Sequence, residues 1–129
     1  MAVEIGQKCT REMLVTEKNV VSSMSDTIKF DVLATPYLVA LMEESCAFNI
    51  QPCLDAGYVS VGFHVDIYHT GATPIGMKVF VDSEVTEIDG RKVTFSVSAR
   101  DENGDVGFGT HERFIVNLER FAKKQAEKA

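Results

Sequence analysis

Residues 35–54, TPYLVALMEESCAFNIQPCL, are apolar on nearly every side of a helix. Such a helix has to be wrapped on most sides, and the rest of the chain supplies a wrapping. After Gly57 the apolar period changes to two. In YVSVGFHVDIYHT, Val59, Val61, Phe63, Val65 and Ile67 fall on one face, with Ser60, His64 and Asp66 on the other. MKVFVDSEVTEI continues as a strand, and Asp89-Gly90 supplies a type I′ hairpin signal. RKVTFSVSARDE alternates Val93, Phe95, Val97 and Ala99, and Asn103-Gly104 marks a second tight hairpin into VGFGTHERFIVNL. Ahead of the helix, KCTREMLVTEKNVVS reads as a short strand followed by an irregular segment through about residue 34. The last dozen residues read as a short, charged, exposed helix. The simplest solution is an α+β fold in which a curved antiparallel sheet rolls around a long central helix, the hot-dog architecture in outline. A cystatin-like or cone-shaped α+β fold shares the pattern.

The helix boundaries follow from local chemistry. Thr35 is placed at the N-cap and Pro36 at the first helical position, where its missing N–H costs nothing. The helix is expected to run to about Leu54, with Pro52 distorting or ending its last turn and Gly57 beyond its end.

At 129 residues the chain suits a single domain, 1–129, with one core. A formal net charge of −6 argues against a nucleic-acid binder, which needs clustered Lys and Arg for phosphates. A small anionic ligand needs only a local basic patch, for which Arg91, Lys92, Arg113 and the tail AKKQAEKA are candidates; surface solvation is the plain alternative for each. No stretch of about 18 apolar residues spans a membrane, and MAVEIGQKCT lacks the form of a secretory signal. The three cysteines, Cys9, Cys46 and Cys53, have no CxxC spacing, so neither a metal site nor a disulfide framework is expected. Cys46 and Cys53 read as small buried residues of a reduced, cytoplasmic protein.

The costly feature is the pair of carboxylates inside the apolar helix. Glu43 and Glu44 have no basic residue three or four positions away. A buried, unpaired carboxylate takes up a proton or has to serve a function. The helix nominates the two equally, and the plain alternative is that one simply points to solvent. Thr35 needs no function if it caps. His69 shares the parity of Val59 through Ile67 and ends its strand just before TGATPIG. There it is either a satisfied core histidine or, beside a helix glutamate, a general acid–base group. His111 and Arg113 share a face of the last strand, opposite Glu112. That face is either exposed and charged or presents Arg113 as an anchor for a carbonyl, carboxylate or phosphate.

The segments LATPYLVALMEESCAF, VSVGFHVDIYHTGATPIG and VTFSVSARDENGDVGFGTHERFIVNLERF together resemble the fluoroacetyl-CoA thioesterase family of hot-dog proteins over nearly the whole chain. The resemblance implies an active site of Thr35, Glu43 and His69 assembled at a homodimer interface. It also implies that the Gly62 N–H contacts the thioester carbonyl and that Arg113 is the active-site arginine. It is the resemblance, not the helix, that chooses Glu43 over Glu44. The family's founding member carries phenylalanines before the threonine, forming a lid that favours the fluorinated acyl group. Here that segment reads SDTIKFDVLA, with Lys29 and only Phe30 nearby. Thioester hydrolysis is therefore implied, and fluoroacetyl selectivity is not.

The expected reaction is hydrolysis of a short acyl-CoA to acid and CoA, with coenzyme A as part of the substrate and no separate cofactor. The competing classes are a module that binds an acyl-CoA or another small acyl ligand without cleaving it, and a dehydratase or hydratase acting on an enoyl or hydroxyacyl thioester.

Overall fold

In the computed structural model, which describes residues 2–129, the strands are β1 (Lys8–Leu14), β2 (Tyr58–His69), β3 (Lys78–Asp89), β4 (Lys92–Asp101) and β5 (Gly104–Asn117). The helices are α1 (Thr35–Ile50) and α2 (Leu118–Ala126), with short 3₁₀ turns at Val21–Met24 and Gln51–Cys53. The strands form one antiparallel sheet in the order β1-β3-β4-β5-β2. The sheet curls as a half-barrel around α1, giving the expected α+β hot-dog arrangement.

Helix α1 lays Leu38, Leu41, Met42, Cys46 and Ile50 onto the concave face, a stripe at three- and four-residue spacing. Val79, Val81, Val85, Val93, Phe95, Val97 and Ala99 meet it from β3 and β4. Five strands cover only one side of the helix, so Ala40 and Phe48 stay exposed. The helix ends at Ile50, short of the expected Leu54, because Pro52 has no N–H for another turn and the chain tightens into the 3₁₀ turn. Beneath the helix lies a buried polar knot. The hydroxyls of Ser45 and Ser83 meet at 2.9 Å, and Asn49 Nδ2 donates to Ser83 Oγ at 3.1 Å and to the Gln7 carbonyl at 3.0 Å. Hydrogen bonds at fixed points in an apolar interface hold the rotation of the helix against the sheet.

Two strand-level expectations are corrected. The Asp89-Gly90 hairpin forms, but its loop is Gly90-Arg91 and only Gly90 has a positive φ, +60°. Type I′ needs positive φ at both loop residues; this is the type II′ pattern. The larger correction is in β2. Its pairing with β5 slips between Gly62 and His64, a β-bulge. Inward positions on β5 are the odd ones, where His111, Arg113 and Ile115 are buried. Through the register, Ser60 and Gly62 face inward before the bulge, and Val65, Ile67 and His69 face inward after it. Val59 and Val61 therefore do not share a face with Val65 and Ile67, and Phe63 stacks outside against Phe114 at 4.6 Å. An extra residue reverses the alternation, which strict period-two counting does not detect.

Candidate active site

Thr35 is not the cap it was expected to be. Ala34 occupies the N-cap with no side-chain cap bond, and Thr35 is the first helical residue, with Pro36 second. The Thr35 hydroxyl is instead 2.7 Å from His69 Nδ1. His69 ends β2, and the loop after it is tied down: Thr70 N–H donates to the Val106 carbonyl, and buried Thr73 donates to Asp101 at 2.8 Å. Burial pushes the His69 imidazole below its ordinary value, with the Gly71 backbone pulling the other way. Its Nε2 is buried and has no hydrogen-bond partner among the described residues. Such an orphan is rare and calls for a physical reason. Thr35, His69, Gly71, Val32 and Leu33 line an open cavity of about 260 Å³.

The structure separates the two glutamates. Glu44 turns to β1, where Arg11 Nη2 lies 3.5 Å away, both side chains being about 40% exposed (40% and 41%). Such a pair contributes little to stability. Glu43 is half-buried and lies over Gly62, where an added Cβ would come within 2.8 Å of its Oε1. The same Cβ would sit 2.9 Å from His111 Cε1 and 3.2 Å from Arg113 Nη1. Any larger residue at 62 would have to displace one of these three converging side chains.

His111 and Arg113 are buried, not on an exposed face, with 1% and 8% of their surface accessible. Arg113 donates from Nε to Ser60 Oγ at 2.7 Å and from Nη2 to the Ser60 carbonyl at 2.9 Å. Burial lowers the Arg113 value, and Glu43 raises it. Burial also lowers His111, helped by Arg113 and opposed by the His64 carbonyl and Glu43. Arg113 is thus removed from the surface patch expected of it. Lys92 pairs outside with Glu112 at 3.4 Å, while Arg91 lines a shallow cleft with Arg120 and Lys124. Ser60 was not singled out by the sequence, its inward position being reversed relative to Val65 by the bulge, and His111 was placed on one face with Arg113 without a role.

The expected site residues fall into two groups within the chain. Thr35 and His69 form one; Glu43, Gly62 and Arg113 form the other. No hydrogen bond joins Glu43 to His69 among the described residues of the one chain. Eight helical residues separate Thr35 from Glu43, an axial rise of about 12 Å. All three cysteines are free; Cys46 is buried, with its thiol pushed up to about 12 by that burial, and Cys53 is only half-buried.

The family model described as fluoroacetyl-CoA-specific thioesterase matches residues 15–119. The chain belongs to this family. Among the thioesterase relatives, it is 34% identical to the fluoroacetyl-CoA thioesterase of Streptantibioticus cattleyicolor over 131 aligned positions, 98% of this chain and 94% of that protein. A solved structure of the fluoroacetyl-CoA thioesterase FlK superposes with a TM-score of 0.93 at 33% identity, covering 100% of this chain and 99% of that one. A hot-dog-like protein from Thermanaerovibrio acidaminovorans, 22% identical, shares the fold with a TM-score of 0.87 over 96% of this chain and 91% of its own.

Proposed function

We propose that this protein hydrolyses a short-chain acyl-CoA thioester to the free acid and CoA, and that it does so as a homodimer with each active site shared between copies. The hydrolase reading accords with the thioesterase family. The observation that carries the site assignment is the 2.7 Å contact between Thr35 Oγ1 and His69 Nδ1. A neutral imidazole there accepts the hydroxyl proton through Nδ1 and carries its own proton on Nε2. That proton needs an acceptor, and Nε2 is the orphan of this half-site.

Glu43 of a second copy supplies the acceptor. Strand β2 is an edge of the sheet, so its outer N–H and C=O groups are free for pairing with another chain. An antiparallel β2–β2 contact about a two-fold axis near residues 65–66 sets His69 of one copy against Gly62 and Glu43 of the other. The roles then follow. His69 draws the proton from the attacking hydroxyl, either that of Thr35 or of a water bonded to it. The new C–O bond forms at the thioester carbon as the carbonyl becomes an oxyanion facing the Gly62 backbone and Arg113. Collapse of the oxyanion breaks the C–S bond, and the sulfur leaves with the proton returned by His69. If Thr35 attacks, a second addition by water frees the acid and restores the hydroxyl. Coenzyme A enters as part of the substrate, and no separate cofactor is required.

A short acyl group is proposed from the likeness to a fluoroacetyl-CoA thioesterase. Phe30, in the segment that precedes the threonine, is 57% exposed and does not close over it. Selectivity for fluoroacetyl is accordingly not proposed. No nucleic acid is invoked, and no helix among the described residues is long and apolar enough to cross a membrane; a cytoplasmic location fits an enzyme of cytoplasmic thioesters.

Thiol release measured over a panel of acetyl-, propionyl-, butyryl- and longer acyl-CoAs tests the reading. Turnover concentrated at the short end is expected. Saturable binding with no thiol released would place the protein in the ligand-binding class instead.

A further inference from the structure

His111 lies outside the Thr35–His69–Glu43 set, yet it is the most deeply buried of the histidines, with 1% of its surface accessible. Its Nδ1 is 2.7 Å from the His64 carbonyl, which follows the bulge in β2. A carbonyl only accepts, so Nδ1 carries a proton. Nε2 lies 3.1 Å from Arg113 Nη1. A guanidinium only donates, so Nε2 presents a lone pair. The two contacts leave the ring one state: neutral, with the proton on Nδ1. The neighbours agree. Glu43 from α1, Phe95 from β4 and Arg113 from β5 surround the ring, Phe95 stacking at 6.4 Å. A second ring proton would point at the guanidinium.

We propose that His111 is the positioning residue for the Gly62–Arg113 wall of the site: one nitrogen holds the β2 bulge that presents Gly62, and the other aims the Arg113 guanidinium. Ser60 fixes the guanidinium from the other side through its hydroxyl and carbonyl. Three of the five N–H groups of Arg113 are thus committed, and the rest stay free for an oxygen over Gly62. The ring itself touches no reacting atom. Without its Nε2 acceptor, a buried guanidinium is left underbonded and seeks another partner, Glu43 being the nearest charge that attracts it. The proposal rests on the thioesterase reading for its kinetic readout, but not for its spectroscopic one.

The test is a double-mutant cycle of His111→Phe and Arg113→Ala, with His111→Gln as the conservative variant. His111→Phe is expected to lower kcat/KM by about 10–100-fold, with the circular dichroism of the parent retained. His111→Gln, whose amide oxygen can still accept from Arg113, recovers a large part of the loss. In the Arg113→Ala background, His111→Phe costs clearly less than in the parent, because the part of its effect that runs through the arginine is already gone and only the part through the β2 bulge remains. Independently, ¹⁵N spectra of the ring are expected to show protonated Nδ1 and bare Nε2 at pH 7, with the Nε2 signal moving in Arg113→Ala. Full additivity of the two losses overturns the proposal, as does a ring protonated on Nε2. If His111→Phe does not fold, His111→Gln in the same cycle decides, an additive loss again counting against the proposal. If the parent cleaves no thioester, the thioesterase reading fails while the nitrogen spectra still judge the wiring of His111.

Discussion

Glu43 and Glu44 are adjacent in sequence and unlike in surroundings: one carboxylate is folded over Gly62, the other is paired in solvent with Arg11. Their variants are expected to part in the same way. Glu43→Ala and His69→Ala should each lose about 10²–10³ in kcat with the fold retained, the typical cost of removing a principal electrostatic group. Glu44→Ala should stay within a few-fold of the parent. Steady-state thiol release on the best short acyl-CoA checks all three, and parental rates in both of the first two would refute the assignment. The residues alone marked Glu43 and Glu44 equally, as carboxylates in an apolar helix, and it was the family resemblance that joined Glu43 to Thr35 and His69. Two things were not legible. A Thr-Pro pair reads as cap and first turn, although the helix here begins one residue earlier and frees the hydroxyl for His69. The ion pair of Glu44 comes from another strand, so helical spacing could not show it.

At the scale of elements, α1 and the strand segments along the chain followed from periodicity, because a 3.6-residue stripe and a two-residue alternation are physical requirements of burial. The β2 bulge did not, since one extra residue leaves the composition of the strand unchanged while reversing its faces. That bulge makes Gly62 the tightest point of the site. Gly62→Ala forces Glu43, His111 or Arg113 to move by several tenths of an ångström. Crowding of this kind typically costs about 1–3 kcal/mol, and turnover should fall more steeply than stability. Thermal melts beside kcat/KM test this; a variant that melts like the parent and turns over like it would show that the space above Gly62 is not confined.

For the whole molecule, the proposed division of the site between copies makes an unusual demand. Mixed His69→Ala and Glu43→Ala proteins, each inactive alone, form heterodimers with one wholly intact site. Random exchange of subunits should therefore restore about a quarter of parental activity. No recovery after denaturation and joint refolding would place both residues in a site built from one chain. Acid should weaken the folded state as well as the chemistry. His69 and His111 both titrate below their ordinary value of 6.5 in the fold. The unfolded chain thus binds more protons between the lowered values and 6.5, and stability falls as pH drops through that window, while above it this contribution is fully present. Urea midpoints taken from pH 7.5 down to 5 measure the slope, and a flat profile would mean that the two rings titrate alike in both states.

The serine–asparagine knot under α1 bears on all of this. Ser45 and Asn49 ride the same rod as Glu43, and their bonds to Ser83 and Gln7 can close in only one seating of that rod. A slip of one residue would swing the acid by about 100°. The knot is thus an index pin for aiming. Its loss in Ser45→Ala or Asn49→Leu would spare greasy contacts while letting the trigger drift off target.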